Sequence, residues 1–218
     1  MKYVGAIIRG IFLIGFLLLI ANGKMMLWLG VFAISLLVAM FFGRLYCGYA
    51  CPMNTVMIGV EWISKKLKIQ TNKIPRWLQS GKIPWITLTL SIVLMISMKK
   101  FWQINLPILL IWLFLSIFVT LRYKPHVFHN LLCPFGILQK TFGRFSRYSK
   151  NVNSNKCVGC KLCVGVCPTE AIKVNNEKKA KIDTALCLQC TNCSQVCPKE
   201  AIQYDKLRLQ EIQEKIEL

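Results

Sequence analysis

The chain has 218 residues, of which 55% are hydrophobic and only 17% charged, with a formal net charge of +19. That is too apolar for an ordinary soluble domain, and the apolar residues crowd before residue 122. The basic residues sit mostly beside apolar stretches, which favours a membrane surface; no nucleic-acid recognition motif is present, so nucleic acid is excluded as a partner.

Four apolar stretches come first: Val4–Ala21, Met25–Phe42, Ile83–Met98 and Ile104–Leu121. Each is near the ~17–25 residues that cross a bilayer as a helix. Lys2 and Arg9 give the first stretch the look of a signal peptide. However, Ala21-Asn22-Gly23 is a poor cleavage site and a second apolar segment follows at once, so it is read as a span. The spans pair as two helical hairpins, one turning at Asn22-Gly23-Lys24 and the other near Lys99, Lys100 and Pro107.

Charge sets the expected orientation. Arg44, Lys65, Lys66, Lys68, Lys73, Arg76 and Lys82 lie between the second and third spans, and Arg122, Lys124, Lys140, Arg144, Arg147 and Lys150 follow the fourth. Only Lys24, Lys99 and Lys100 lie on the other side. The positive-inside bias makes this a multi-pass protein of the cytoplasmic (inner) membrane with both termini in the cytoplasm.

The second span exits into Gly43-Arg44-Leu45-Tyr46-Cys47-Gly48-Tyr49-Ala50-Cys51-Pro52, and the fourth into Phe128-His129-Asn130-Leu131-Leu132-Cys133-Pro134-Phe135-Gly136. Aligning Cys51 with Cys133 sets Pro52 on Pro134, Tyr46 on Phe128 and Cys47 on His129. The membrane half thus reads as a duplicated unit of hairpin, Cys/His-x-x-x-Cys-Pro motif and basic helix. Proline favours the first helical position, which puts Cys51 and Cys133 at helix N-caps, where the dipole favours a thiolate.

Three chemistries stay open for Cys47, Cys51, Cys133 and His129. They are a third iron–sulfur or metal centre, a dithiol–disulfide pair at Cys47 and Cys51, or inert buried structure. The helices after both motifs read as interfacial, with Val56, Val60, Ile63 and Leu67 forming one apolar stripe. His126 has no counterpart in the repeat and reads as an ordinary loop residue. Tyr46, Tyr49 and Phe128 read as interfacial anchors.

Phe145–Asn155 turns polar and Ser/Asn-rich, like a linker, so the next domain is expected to begin near Asn151. It carries Cys157-x-x-Cys160-x-x-Cys163-x-x-x-Cys167-Pro168 and then Cys187-x-x-Cys190-x-x-Cys193-x-x-x-Cys197-Pro198. Each run is the bacterial ferredoxin signature for a [4Fe–4S] cluster. Three thiolates at three-residue spacing wrap one cubane, and the fourth cysteine of each run lies too far along to close the same loop. In two-cluster ferredoxins it ligates the other cluster. Cys157, Cys160, Cys163 and Cys197 are therefore assigned to one cluster, and Cys187, Cys190, Cys193 and Cys167 to the other. Zinc or a disulfide framework is the plain alternative, and two runs with matching Cys-Pro ends argue against it. Bare clusters need a reducing compartment, which agrees with the cytoplasmic placement.

The expected fold is a membrane all-α domain, 1–150, with four transmembrane helices in two hairpins. An α+β two-cluster ferredoxin domain, 151–205, follows, and then a charged C-terminal helix, 206–218, in which Leu207, Ile212 and Ile216 are docking candidates.

Taken together, the Cys-Gly-Tyr-x-Cys-Pro core, Leu132-Cys133-Pro134-Phe135-Gly136 and both cysteine runs resemble the NapH-type membrane ferredoxins, a family related to NosR-type and CcoG-type proteins. The resemblance runs from the first span to about Ile202. It implies four spans, Cys-Pro motifs on the cytoplasmic side, and electron passage between the quinone pool and a redox partner protein. In that setting the chain would be the electron-transfer subunit of a quinol dehydrogenase type of oxidoreductase, with quinone as substrate and membrane lipid as surroundings. The family's second motif is usually Cys-x-x-x-Cys-Pro, and His129 departs from it, which puts a simple disulfide there in doubt. The rival readings are a CcoG-like copper reductase or maturation protein, in which Cys47 and Cys51 bind the metal, and a redox sensor. No Walker A loop, dinucleotide glycine fingerprint or Cys-x-x-Cys-His haem site is present. Catalysis on a substrate therefore belongs to a partner.

Overall fold

The structure is a computed structural model that describes residues 3–71, 73–103 and 107–207, with no side-chain description for Trp102. It forms two compact units, Met1–Cys51 with Gln139–Leu218, and Pro52–Leu138.

The first unit opens with α1 (Val4–Ala21) and α2 (Met25–Phe42). Both run for 18 residues of mean hydropathy above 2, long and apolar enough to cross a membrane. Their ends match the expected spans residue for residue, because Asn22-Gly23-Lys24 breaks the apolar run and Gly23 takes φ +67°. Most of their apolar side chains, including Ile7, Ile11, Leu18, Leu27, Ile34 and Leu37, face outward, as lipid contact demands. A seam of aromatics holds the hairpin together. Phe16 meets Trp28 edge-on at 5.1 Å, Phe32 meets Tyr46 at 5.3 Å, and the Trp28 indole N–H donates to the Tyr46 hydroxyl at 2.9 Å.

The rest of this unit is a small α+β fold. Strand β1 (Tyr148–Val152) pairs antiparallel with β4 (Ile202–Lys206), and β2 (Ile172–Val174) with β3 (Ala180–Ile182). Two single-turn helices, α8 (Leu162–Gly165) and α9 (Asn192–Gln195), carry the third cysteine of each run. Ala171, Ile172, Ala180, Ile182 and Ile202 form its core together with Cys163, Cys187 and Cys193.

The expected linker and the boundary at 150/151 need correction, since β1 runs straight through them. Its polar residues are not solvated: Ser149 is fully buried and Lys150 is 9% exposed, both bonded to the second cysteine run. Compactness also groups the first hairpin with the ferredoxin-like fold rather than with the second hairpin. At the C-terminal end Lys206 belongs to β4. Leu207 is buried, its N–H donating to the Arg147 carbonyl at 2.8 Å. The remainder of the expected charged helix, 208–218 with Ile212 and Ile216, lies outside the described residues, as does Lys2.

The second unit holds α3 (Pro52–Lys66), a 3-10 turn at Arg76–Ser80, α4 (Ile83–Trp102), α5 (Ile108–Arg122) and a single turn, α6 (Pro125–Val127). Helix α7 (Pro134–Gly143) begins here and ends in the first unit. Helix α3 lies along α5, where the buried Ser64 Oγ donates to the Leu121 carbonyl at 2.6 Å. Trp112 Nε1 ties α5 to α4 through Ser91 Oγ at 3.1 Å. Helix α4 is long and apolar enough to span a membrane. Helix α5 has 15 residues, about 22 Å at the helical rise against a hydrocarbon core of about 30 Å. Among the described residues three helices therefore meet the length of a span and a fourth apolar helix is shorter. The start expected at Ile104 lies outside the described residues. On α3 the buried face is Met53, Asn54, Met57 and Ser64, while Ile63 and Leu67 of the expected apolar stripe point outward.

Candidate metal centres

The two cysteine runs build two loops of the same shape. In the first, Cys157-Val158-Gly159-Cys160, Gly159 takes φ +70°. In the second, Cys187-Leu188-Gln189-Cys190, the matching residue is Gln189 at φ +57°. A left-handed glutamine is uncommon, and this one is held by its own side chain. Its Oε1 accepts from the Lys150 N–H at 2.9 Å and its Nε2 donates to Ser149 Oγ at 2.7 Å. The repeat extends to Glu170 and Glu200, both left-handed after their Cys-Pro.

All eleven cysteines are free of disulfides. Cys157, Cys160, Cys163 and Cys197 line one small pocket, walled by Val152, Ala180 and Ile202. Cys167, Cys190 and Cys193 all lie close enough to Cys187 to act on its charge. Backbone N–H groups point at sulfur in both sets: Ala180 to Cys157 at 3.4 Å, Ala171 to Cys167 at 3.3 Å and Ala201 to Cys197 at 3.4 Å. Burial pushes the Cys187 and Cys190 thiols up, and pushes Cys193 up to about 11, with neighbouring cysteines adding to the effect at Cys187 and Cys193.

Gathered, buried thiols whose values burial raises are turned into thiolates by binding iron, and sulfur-directed N–H groups are what iron–sulfur sites use. The donor set therefore fits [4Fe–4S] clusters. Among the described residues no three His, Cys, Asp or Glu side chains close on a single ion.

The two sites differ in surroundings. At the first, Cys160, Val158 and Leu162 are exposed. At the second, Cys187, Leu188, Gln189 and Cys190 are all buried, because the loop sits on the turn that leaves α2. That turn, Tyr46–Ala50, is a π-turn that closes with the Cys51 N–H on the Tyr46 carbonyl at 2.8 Å. At Gly48 a Cβ would collide with the Leu188 carbonyl. At Gly43, with φ +72°, it would come within 2.7 Å of Gln189 Nε2. The Tyr49 hydroxyl reaches the Gln189 carbonyl at 3.4 Å, and Arg9 Nε donates to the Gly48 carbonyl at 2.8 Å. Burial raises the Tyr49 phenol, and the Cys190 charge raises it further. Arg44 is fully buried between the Cys47 sulfur, 3.9 Å from Nη2, and the Leu186 carbonyl, 3.4 Å from Nη1.

The second Cys-Pro motif repeats the backbone of the first. Phe128–Leu132 is again a five-residue π-turn closed from Cys133 N–H to the Phe128 carbonyl at 2.8 Å. Cys51 (φ −71°, ψ 118°) and Cys133 (φ −67°, ψ 115°) are nearly superposable. Cys133 Sγ accepts the Gly136 N–H at 3.3 Å, the N-cap bond expected for α7. His129 is buried and pairs with Asn54 Oδ1 at 3.2 Å. Cys47 and Cys51 belong to the first unit, and His129 and Cys133 to the second.

Sequence reasoning singled out the cysteines but missed Arg44, Gln189 and Gly48 as site residues. Only the Gly159–Gln189 mismatch between the two runs signalled one of them.

Comparison with known proteins gives two family matches. The family described as 4Fe-4S binding domain matches residues 25–70 and 105–152, once over each Cys-Pro motif, and the 4Fe-4S dicluster domain matches 149–201. The ferredoxin-type protein NapH of Haemophilus influenzae is 31% identical, over 72% of this chain and 58% of its own length. The methylamine utilization ferredoxin-type protein MauN of Methylobacillus flagellatus is 29% identical, over 59% of this chain and 50% of its own. An uncharacterized protein of Methanocaldococcus jannaschii is 32% identical, over 66% and 58%. The chain thus spans only about half to three-fifths of the length of these relatives.

Proposed function

The chain belongs to the NapH-type ferredoxins, and from that premise we propose that it moves single electrons between the membrane quinone pool and a redox partner protein. It is an iron–sulfur electron-transfer protein with apolar membrane helices; the quinone, the partner and the number of clusters are the content of the proposal. Cys157, Cys160, Cys163 and Cys197 hold one [4Fe–4S] cluster, and Cys187, Cys190, Cys193 and Cys167 the second. When bound, such a cluster supplies a one-electron step without making a bond to substrate.

The observation that carries this reading is the seat of the second loop on the membrane turn. Gly48 and Gly43 let Leu188 and Gln189 approach the backbone that follows α2. The second set of cysteines then faces the membrane helices, while Cys160 of the first set opens to solvent. That contrast supports a relay whose membrane end meets a lipid-soluble carrier and whose other end meets a water-soluble protein. Cys47, Cys51, His129 and Cys133 stay candidate ligands or redox thiols on the quinone side. The basic segments support a cytoplasmic face for the ferredoxin fold and both termini.

Stopped-flow spectroscopy on the reduced full-length protein in nanodiscs tests the reading. Reoxidation by a menaquinone analogue should saturate with quinone concentration, as occupancy of a site requires. A rate that climbs linearly without saturation would mean bare collision with an exposed cluster, and the quinone reading would fall.

A further inference from the structure

Arg44 stands at the mouth of α2 with no exposed surface, and its Nε has no hydrogen-bond partner. Among the described residues its guanidinium meets no carboxylate. Its two polar neighbours are the Cys47 sulfur and the carbonyl of Leu186, the residue immediately before Cys187. A guanidinium keeps its charge at any accessible pH, and burying it uncompensated is costly. A compensating anion is therefore expected beside it, and two groups on its contacts can supply one: Cys47 itself, and the cluster loop that begins at Cys187, next to Leu186. Four thiolates leave a loaded iron–sulfur site with net negative charge, and that charge grows when the site accepts an electron.

Resting on the two-cluster reading above, we propose that Arg44 is a positioning residue that raises the reduction potential of the second site above that of the first. Burial alone orders the two sites the other way. Adding an electron to an anionic group costs more where water is excluded, and Cys187, Cys190 and Cys193 are buried while Cys160 is open. At the first site Lys161 and Lys199 are exposed and screened by solvent, and Lys179, whose Nζ donates to the Cys157 carbonyl at 2.6 Å, is only half-buried. Arg44 is fully buried and donates to the Leu186 carbonyl, so its charge is screened less than that of any of these lysines. Arg9 and Lys150 act on Cys190 in the same direction. An electron arriving from either end would then rest on the membrane-facing site.

An EPR-monitored redox titration of the full-length protein in nanodiscs tests this, with the first-site signal identified by its change in Cys160→Ser. In the unaltered protein the second site should be the first to accept an electron. Arg44→Gln should lower its reduction equilibrium at least tenfold, about 59 mV for one electron, and leave the first site where it was. Arg44→Lys, which keeps the charge, should retain most of the potential. An unchanged second-site potential in Arg44→Gln, or equal shifts at both sites, would overturn the proposal. If Arg44→Gln does not accumulate in loaded form, the unaltered protein decides, and a second site below the first overturns it. Iron near four atoms per chain with a single EPR species would instead overturn the two-cluster reading.

Discussion

Gly48 lies so close beneath the Leu188 carbonyl that no Cβ fits between them. The atom met is backbone oxygen, which has no rotamer to escape into. A methyl group here must push the second cysteine loop off the membrane turn. Gly48→Ala should cost about 1–3 kcal/mol, the usual range for forced overpacking. Its second-site EPR signal should broaden while the first-site signal stays sharp. Spectra identical to those of the unaltered protein would mean that the loop does not need this seat.

Gln189 is tested by a pair of substitutions. Gln189→Ala removes the acceptor for the buried Lys150 N–H and the donor to Ser149 Oγ. Stranded buried groups cost about 1–3 kcal/mol. Gln189→Gly loses the same bonds and relieves the left-handed backbone, which returns roughly 1 kcal/mol. Loss of second-site colour to a strong iron chelator should therefore be fastest in Gln189→Ala, intermediate in Gln189→Gly and slowest in the parent. A reversed order of the two variants would show that the left-handed backbone carries little strain, and a parent as fast as Gln189→Ala would show the same of the side-chain bonds.

The unequal exposure of the two loops predicts biphasic oxidative damage. Cys160 is open to solvent, whereas Cys187, Cys190 and Cys193 are buried. Air or ferricyanide should bleach about half of the iron–sulfur absorbance quickly and the remainder at least roughly tenfold more slowly, following thiolate access. Cys160→Ser should remove the fast phase and leave the slow one. A single phase would contradict the asymmetry.

Loading should release protons. With burial raising Cys187 and Cys190 and pushing Cys193 up to about 11, these thiols stay protonated at neutral pH until iron takes them. Reconstitution at pH 7 should release a proton from each of Cys187, Cys190 and Cys193, and their yield should fall only as pH approaches about 11. A pH-stat measurement checks this. A proton yield that falls already between about pH 8 and pH 9.5, where ordinary cysteines ionise, would mean that burial does not hold these thiols protonated.

Much of this was legible beforehand, for identifiable reasons. The ends of α1 and α2 follow from hydropathy and a single glycine turn, both local properties. The cysteine runs are legible because ligand spacing is fixed by the cubane rather than by the surrounding fold. The alignment of Cys47 with His129 and Cys51 with Cys133 likewise anticipated two π-turns of the same backbone. What stayed hidden depends on long-range packing. Ser149 and Lys150 look like linker residues until Gln189, some 40 residues later, supplies their partners. Arg44 reads as one of many basic residues beside a span, and only the arrival of Leu186 makes it a buried charge. Met53, Met57 and Ser64 gave no sign that they, rather than Ile63 and Leu67, face inward, because an interfacial helix has an apolar face on each side.

The strand that carries the chain away from α7 also grips the second cysteine loop. Three more ties bind the fold to the end of α2: Arg147 N–H to the Phe41 carbonyl at 3.0 Å, the Tyr204 hydroxyl to the Phe42 carbonyl at 3.0 Å, and Phe42 stacked on Tyr148 at 5.6 Å. A domain anchored at so many points cannot work as a swinging arm that collects an electron at the bilayer and carries it outward. It is a fixed terminal, and whatever takes its electrons must come to it.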